Sequence, residues 1–171
     1  SAFSSLALCL IEIESMFSNI INDHNFFEKA SFISRLGSGS ASRSIYGPLT
    51  CWGKTELYPG SSDQYAIPIN IKNNNFPTFC DSILIADSGI KKVSSTLGHQ
   101  LMDNHIFKNE RISQSHLNSS KLKKSIESND INSFLKVVEN EALTLHALMM
   151  TSNPNFILFK PNTINIIEHV L

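Results

Sequence analysis

Two periodicities meet in this chain, and the points where one gives way to the other constrain its fold more than any other feature. Ahead of Gly37 apolar residues recur at helical spacing, first through Phe3, Leu6, Ala7, Leu10, Ile11, Ile13, Phe17, Ile20 and Ile21, then through Phe26, Phe27, Ala30, Ile33 and Leu36. Between Gly47 and Asp87 the spacing changes to short β-prone runs, Leu49 to Trp52, Tyr65 to Ile71 and Ser82 to Ala86, separated by Pro59-Gly60, Lys72 to Asn75 and Pro77. From Ser94 onward the helical spacing returns over about 92–107, 109–127 and 130–150; the last stretch carries Phe134, Leu135, Val138, Ala142, Leu145, Leu148 and Met149. Helices on both sides of a β-prone middle predict an α+β chain.

The helix ends carry their own signals. The first pattern wraps most of the way round a helix, as a centrally buried helix does. Asn25 followed by Glu28 predicts a capping-box start for the second helix, and Gly37 its end. Pro154 and Pro161 bracket Phe156 to Phe159, expected as a strand or extended segment, and Pro161 fits the first turn of a final helix through Ile164, Ile167 and Val170. Ser1 opens directly onto a helical pattern, and the last helix stops in mid-pattern. The expectation is an interior portion of a longer protein, incomplete at both ends.

Composition excludes several functions. With 171 residues the chain is one ordinary domain or two small lobes, and 42% apolar against 17% charged residues is a globular balance. Fourteen Lys+Arg against fifteen Asp+Glu leave a net charge of −1, so no concentrated basic face is expected, and with it no nucleic-acid or anionic-membrane partner. Cys9, Cys51 and Cys80 are odd in number and widely spaced, which fits reduced thiols in a cytoplasmic protein. Six scattered histidines contain no i, i+4 pair, so no structural metal is expected. The longest apolar run, Leu6 to Ile13, is interrupted by Glu12 and is too short to span a bilayer.

The segment that carries chemistry is Gly37-Ser38-Gly39-Ser40-Ala41-Ser42-Arg43-Ser44. Alternating glycine and serine alone is a linker composition. Here, however, helical patterns flank it, and Ala41 to Tyr46 is helix-compatible up to Gly47. Glycines admit an anion close to the backbone, hydroxyls add donors, and a helix start adds N–H groups and a positive dipole end. Arg43, about one turn into that helix, adds a planar fork for carboxylate or phosphate. A concave anion site over Gly37–Ser44 is the expectation.

Arg35 to Gly47, with Trp52 shortly after, resembles the signature of diphosphomevalonate decarboxylases in the GHMP-kinase superfamily. Ser1-Ala2-Phe3 with Leu6-Ala7 resembles the helix after that family's ATP phosphate loop, and Lys91 to Gly98 resembles its later serine motif. His146-Ala147 and Asn153 to Leu171 also fit. The resemblance implies a two-lobe GHMP-kinase-like α+β fold: a lobe like domain 2 of ribosomal protein S5 over 1–80, and a ferredoxin-like C-terminal lobe over 81–171. It implies ATP-dependent decarboxylation of mevalonate 5-diphosphate, through 3-hydroxyl phosphorylation and loss of phosphate and CO2, with ATP and Mg2+ and commonly as a homodimer. Ser38, Gly39 and Ser40 would hold substrate, Arg43 would bind its acidic groups as the catalytic arginine, and Ser94 and Ser95 would lie near the same site. The phosphate loop would precede Ser1, and the catalytic aspartate would follow Leu171. Pro48 replaces the family's usual second glycine. A GHMP kinase acting on mevalonate or a related hydroxy acid is the alternative, although many such kinases carry an aspartate where Ala41-Ser42-Arg43 stands. A non-catalytic anion-binding paralogue is the other.

Each of these residues also has a plainer role. Arg43 could pair with a carboxylate on a neighbouring helix, and Ser94 and Ser95 could cap one. Asp81 and Asp87 flank a β run, where aspartates form turns. His146, beside Leu143 and Met150, reads as a packed, hydrogen-bonded histidine. Trp52, the one tryptophan, reads as core or cleft wall.

Overall fold

The computed structural model describes residues 1–18, 25–70, 80, 82–89 and 95–170, with residues 95 and 96 given by their backbone. The chain divides into two compact units, Ser1–Ile71 and Lys72–Leu171.

The first unit is built on helices α1 (Ala2–Ser18), α2 (Phe26–Gly37) and the single-turn α3 (Gly39–Arg43). Ala7, Ile11, Ala30 and Ile45 form its apolar core, and Leu8, Phe26, Ile33 and Tyr46 pack around them. Much of what separates the three helices is small: Ser4, Ser31, Ser34, Ala41 and Ser42 are all buried. Small side chains let backbones approach closely, and each buried hydroxyl then needs a partner. Ser4 donates to the Ala41 carbonyl at 2.9 Å, Ser31 to the Ser42 carbonyl at 2.9 Å, and Ser34 to the Ala30 carbonyl at 2.7 Å. Gly37, the last residue of α2, lies under the Phe3 ring, where a Cβ would clash.

A short antiparallel ladder follows, β1 (Thr50–Cys51) and β2 (Ile67–Pro68), with Thr50 opposite Pro68 and Cys51 opposite Ile67. The ladder is shorter than the pattern expected from Tyr65, although the Ile69 amide still donates to the Leu49 carbonyl at 2.8 Å just beyond it. The expected capping box at Asn25 does not form either: α2 starts there, but the Asn25 side chain does not cap it. Nor is α1 enclosed. It buries Ser4, Ala7 and Ile11, toward α2, α3 and Ile45, while Phe3, Leu6, Leu10, Ile13 and Phe17 form a second, exposed apolar stripe.

The second unit is helical: α4 (Ser95–Gln100), α5 (Lys108–Ser128), α6 (Ile131–Thr151) and α7 (Pro161–Val170). The helix expected over 92–107 is described from Ser95 and stops at Gln100 in a run of turns, with the Met102 and Asp103 amides donating three residues back, to His99 and Gln100, at 3.1 Å. Asn129, left-handed at φ 58°, ends α5, with the Asp130 amide donating back to the Ser125 carbonyl at 2.8 Å. Asp130 then caps α6 by accepting from the Ser133 amide at 3.0 Å. The α5–α6 joint is polar. Arg111 grips both oxygens of Glu141, and Asn118 donates to the same carboxylate at 2.7 Å. Buried His105 accepts from the Phe107 amide at Nδ1 (3.1 Å), so Nε2 carries the hydrogen and donates to the Leu148 carbonyl (3.1 Å).

One expected strand is absent, and a segment expected as a strand or extended joins no ladder. The run 82–86 joins no ladder among the described residues; the Ala86 carbonyl accepts from Asn162 Nδ2 at 3.4 Å, and Ile83 is 83% exposed. Residues 156–159 are likewise irregular, although Pro161 does begin the final helix. Periodicity reports that a strand would suit these residues; a ladder also needs a neighbour.

Candidate functional site

The Gly/Ser segment is an elbow between two helices and not a loop ahead of one. Gly37 closes α2, Ser38 alone is extended (φ −165°, ψ 132°), and Gly39 already begins α3. Five residues align too few peptide dipoles to make a strong anion site by themselves. Whatever anion-binding power the elbow has lies in its side chains.

Those side chains are sorted by the helix. Ala41 and Ser42 point inward and are buried; Ser40 and Arg43, three residues apart, share the exposed face. Ser38 Oγ and Ser40 Oγ are 3.0 Å apart. Among the described residues no carboxylate pairs with Arg43. The back of α3 is held by hydroxyls from α1 and α2. Ser4 donates to the Ala41 carbonyl, which also accepts from the Ser44 amide at 3.0 Å, and Ser31 donates to the Ser42 carbonyl. Ser31 Oγ also accepts from the Ala66 amide at 2.9 Å, so one fully buried oxygen joins α2, α3 and the segment entering β2. Sequence reasoning missed Ser31. The available signal was a pair of serines, Ser31 and Ser34, set into the apolar face of α2.

Trp52, directly after β1, completes the surroundings. Its Nε1 donates to the Asp63 carbonyl at 3.0 Å, in a loop that Asp63 and Ser61 brace through the Lys54 and Thr55 amides at 2.8 and 2.9 Å. A Cβ on Gly39 would lie 2.6 Å from Trp52 Cζ3, so the indole fills the space this glycine leaves. The Arg43 guanidinium carbon stands 5.8 Å from the indole centroid. The ring is 37% exposed, a wall beside α3 and not a core residue. Close by, the Tyr46 phenol is pushed up to about 12, first by burial and then by Glu28 and Tyr65, and stays neutral at physiological pH. Burial also raises the Cys51 thiol.

The other candidates lie outside the first unit or outside the described residues. Ser94 and Asp81 lie outside the described residues, and Ser95 opens α4 in the second unit. Asp87 is a turn-former: its carboxylate accepts from the Gly89 amide at 2.8 Å and pairs with Lys160 at 3.4 Å. His146 is packed as expected, stacked on Phe159 at 3.8 Å between centroids. Its Nδ1, however, is buried without a hydrogen bond among the described residues, and burial lowers its pKa.

No family model matches the chain. Diphosphomevalonate decarboxylases of Schizosaccharomyces pombe and Gibberella zeae are each 29% identical to it over 126 residues, which is 72% of this chain and 32% of theirs. A mevalonate diphosphate decarboxylase from Legionella pneumophila superposes with a TM-score of 0.77 over 99% of this chain and 50% of that one, at 24% identity. The chain has the fold of the mevalonate diphosphate decarboxylases. One from Staphylococcus aureus agrees, with a TM-score of 0.71 over 98% of this chain and 49% of its own, again at 24% identity. The resemblance to diphosphomevalonate decarboxylases is therefore present in sequence and in fold. This chain spans about a third of the length of the curated relatives it matches and about half of those solved structures.

Proposed function

We propose that the chain belongs to a diphosphomevalonate decarboxylase, an enzyme in which ATP phosphorylates the 3-hydroxyl of mevalonate 5-diphosphate and loss of phosphate and CO2 yields isopentenyl diphosphate in the mevalonate pathway. The observation that carries the reading is the α2–α3 elbow: Ser38, Ser40 and Arg43 gathered at an exposed surface, with no carboxylate of the described residues claiming the arginine. A diphosphorylated hydroxy acid brings several negative charges. Hydroxyls orient such a group, and a guanidinium adds full charge and a geometry matched to carboxylate or phosphate. In this reading Arg43 and the two serines bind and orient the acidic substrate, and Ser94 and Ser95 join them.

ATP as phosphoryl donor, Mg2+ with it, the two-lobe arrangement, a homodimer and a cytoplasmic location belong to the same proposal and rest on the resemblance. Among the described residues no three His, Cys, Asp or Glu side chains are grouped to hold an ion, so no step is assigned through Mg2+. Among the described residues no helix is long and apolar enough to cross a membrane.

Calorimetric titration with mevalonate 5-diphosphate tests the reading. Arg43→Ala should weaken binding by about 2–5 kcal/mol, roughly 30- to 5,000-fold, by leaving the anion short of its counter-charge. Arg43→Lys keeps the charge without the fork and should recover part of the loss. Because Arg43 is exposed, neither change should move the ligand-free melting temperature. An alanine variant that binds as tightly as the parent chain overturns the assignment.

A further inference from the structure

We infer that Trp52 is the positioning residue for Arg43, holding its guanidinium in the orientation that meets the substrate's acidic groups. The inference rests on the reading of Arg43 given above. Two contacts fix the indole, and a third joins it to the arginine. Its Nε1–H is tied to the Asp63 carbonyl, its six-membered ring occupies the space beside Gly39, and its face lies 5.8 Å from the Arg43 guanidinium carbon. Gly39 and Arg43 are four residues apart on α3, so one ring meets both ends of that single turn.

The chemistry suits the task. An exposed arginine has several rotatable bonds and little reason to hold one rotamer. A cation over an indole face, within about 6 Å of the centroid, gains an attraction that a freely solvated side chain lacks. A cation–π contact uses none of the guanidinium N–H donors, and those are the donors that grip a carboxylate or phosphate in two places. The ring itself touches no substrate in this scheme. It lowers the entropy lost when Arg43 is immobilised by its ligand.

The chain has a single tryptophan, so its fluorescence reports this site without interference. Three measurements decide the matter. In the ligand-free parent chain, proton NMR should show the Arg43 δ-protons displaced upfield by the indole ring current; unshifted δ-protons overturn the inference. Titration with mevalonate 5-diphosphate should change Trp52 emission in the parent chain but not in Arg43→Ala. By calorimetry Trp52→Leu should bind this ligand about 2- to 5-fold more weakly, the equivalent of an exposed cation–π contact, with Trp52→Phe in between. In the Arg43→Ala background Trp52→Leu should cost nothing further. An equal loss with and without Arg43 would show that the ring acts independently of it, and the inference would fall. If Arg43→Ala binds normally, the binding assignment of Arg43 fails instead, and the ring-current shift still judges the contact. Should Trp52→Leu not fold, the phenylalanine variant and the parent NMR shift carry the decision.

Discussion

Ser31 shows how much one buried oxygen can decide. It donates to the Ser42 carbonyl and accepts from the Ala66 amide while fully excluded from water. The residue whose amide it accepts from, Ala66, is equally buried. Ser31→Ala would strand a donor and an acceptor together, at about 1–3 kcal/mol for each group left unpaired. The urea midpoint of the first unit's unfolding should fall accordingly, with little change in slope. A variant as stable as the parent would show that the hydroxyl is not the joint between α2, α3 and the segment entering β2. The same scale explains Gly39. Its φ is not left-handed, so alanine is sterically allowed by the backbone, and it is the indole pressed against it that excludes a side chain.

Among the elements, the α5–α6 pair is held by charge where an apolar seam is usual. Burial by itself would raise the Glu141 carboxyl, but the hydrogen bonds from Arg111 and Asn118 and the Arg111 charge outweigh it and hold the group below its ordinary range. A carboxylate whose folded pKa is depressed stabilises the fold fully above its unfolded value, and the contribution is lost as pH falls through the folded one. Thermal stability should therefore drop below about pH 4.5, the region where a free glutamate titrates. Asp87 and Asp130, both also held low by hydrogen bonds to backbone and side chains, share that acid limb. The comparison of Glu141→Gln with the parent isolates the pair: the variant should be less stable at neutral pH and should lose less on acidification. Parallel curves for the two proteins would mean that Arg111 and Glu141 contribute nothing as an ion pair.

At the scale of the whole molecule, the apolar surface stands out. Along α1, Phe3, Leu6, Leu10, Ile13 and Phe17 line one stripe with exposures from 45% to 86%, and Ile83, Leu84 and Ile85 are exposed in a row. Contiguous apolar surface of this kind mediates association. The chain at neutral pH should bind a hydrophobic dye such as anilinonaphthalene sulfonate and sediment as a mixture that grows heavier with concentration. Phe17→Glu, at the most exposed point of the stripe, should reduce both effects without lowering the melting temperature. A dye-silent chain that stays monomeric at its solubility limit would contradict the description of α1 as half-covered.

The sequence by itself determined the helices and their order. Periodicity located α1, α2, α5, α6 and α7, because amphipathic spacing and Pro161 at a first turn are local properties of the chain. The Arg35–Gly47 pattern likewise pointed to the elbow and to Arg43 before any geometry was known. Tertiary structure alone decided the rest. Whether 82–86 becomes a strand depends on a neighbour, and whether α1 is enclosed depends on what packs against it; neither is written in the segment's own residues. The elbow's chemistry was decided the same way. Gly39 makes room for a ring thirteen residues away in sequence, and Ser31 bonds an amide thirty-five residues away. Contacts of that separation come from packing and hydrogen-bond satisfaction across the fold, which no local pattern encodes.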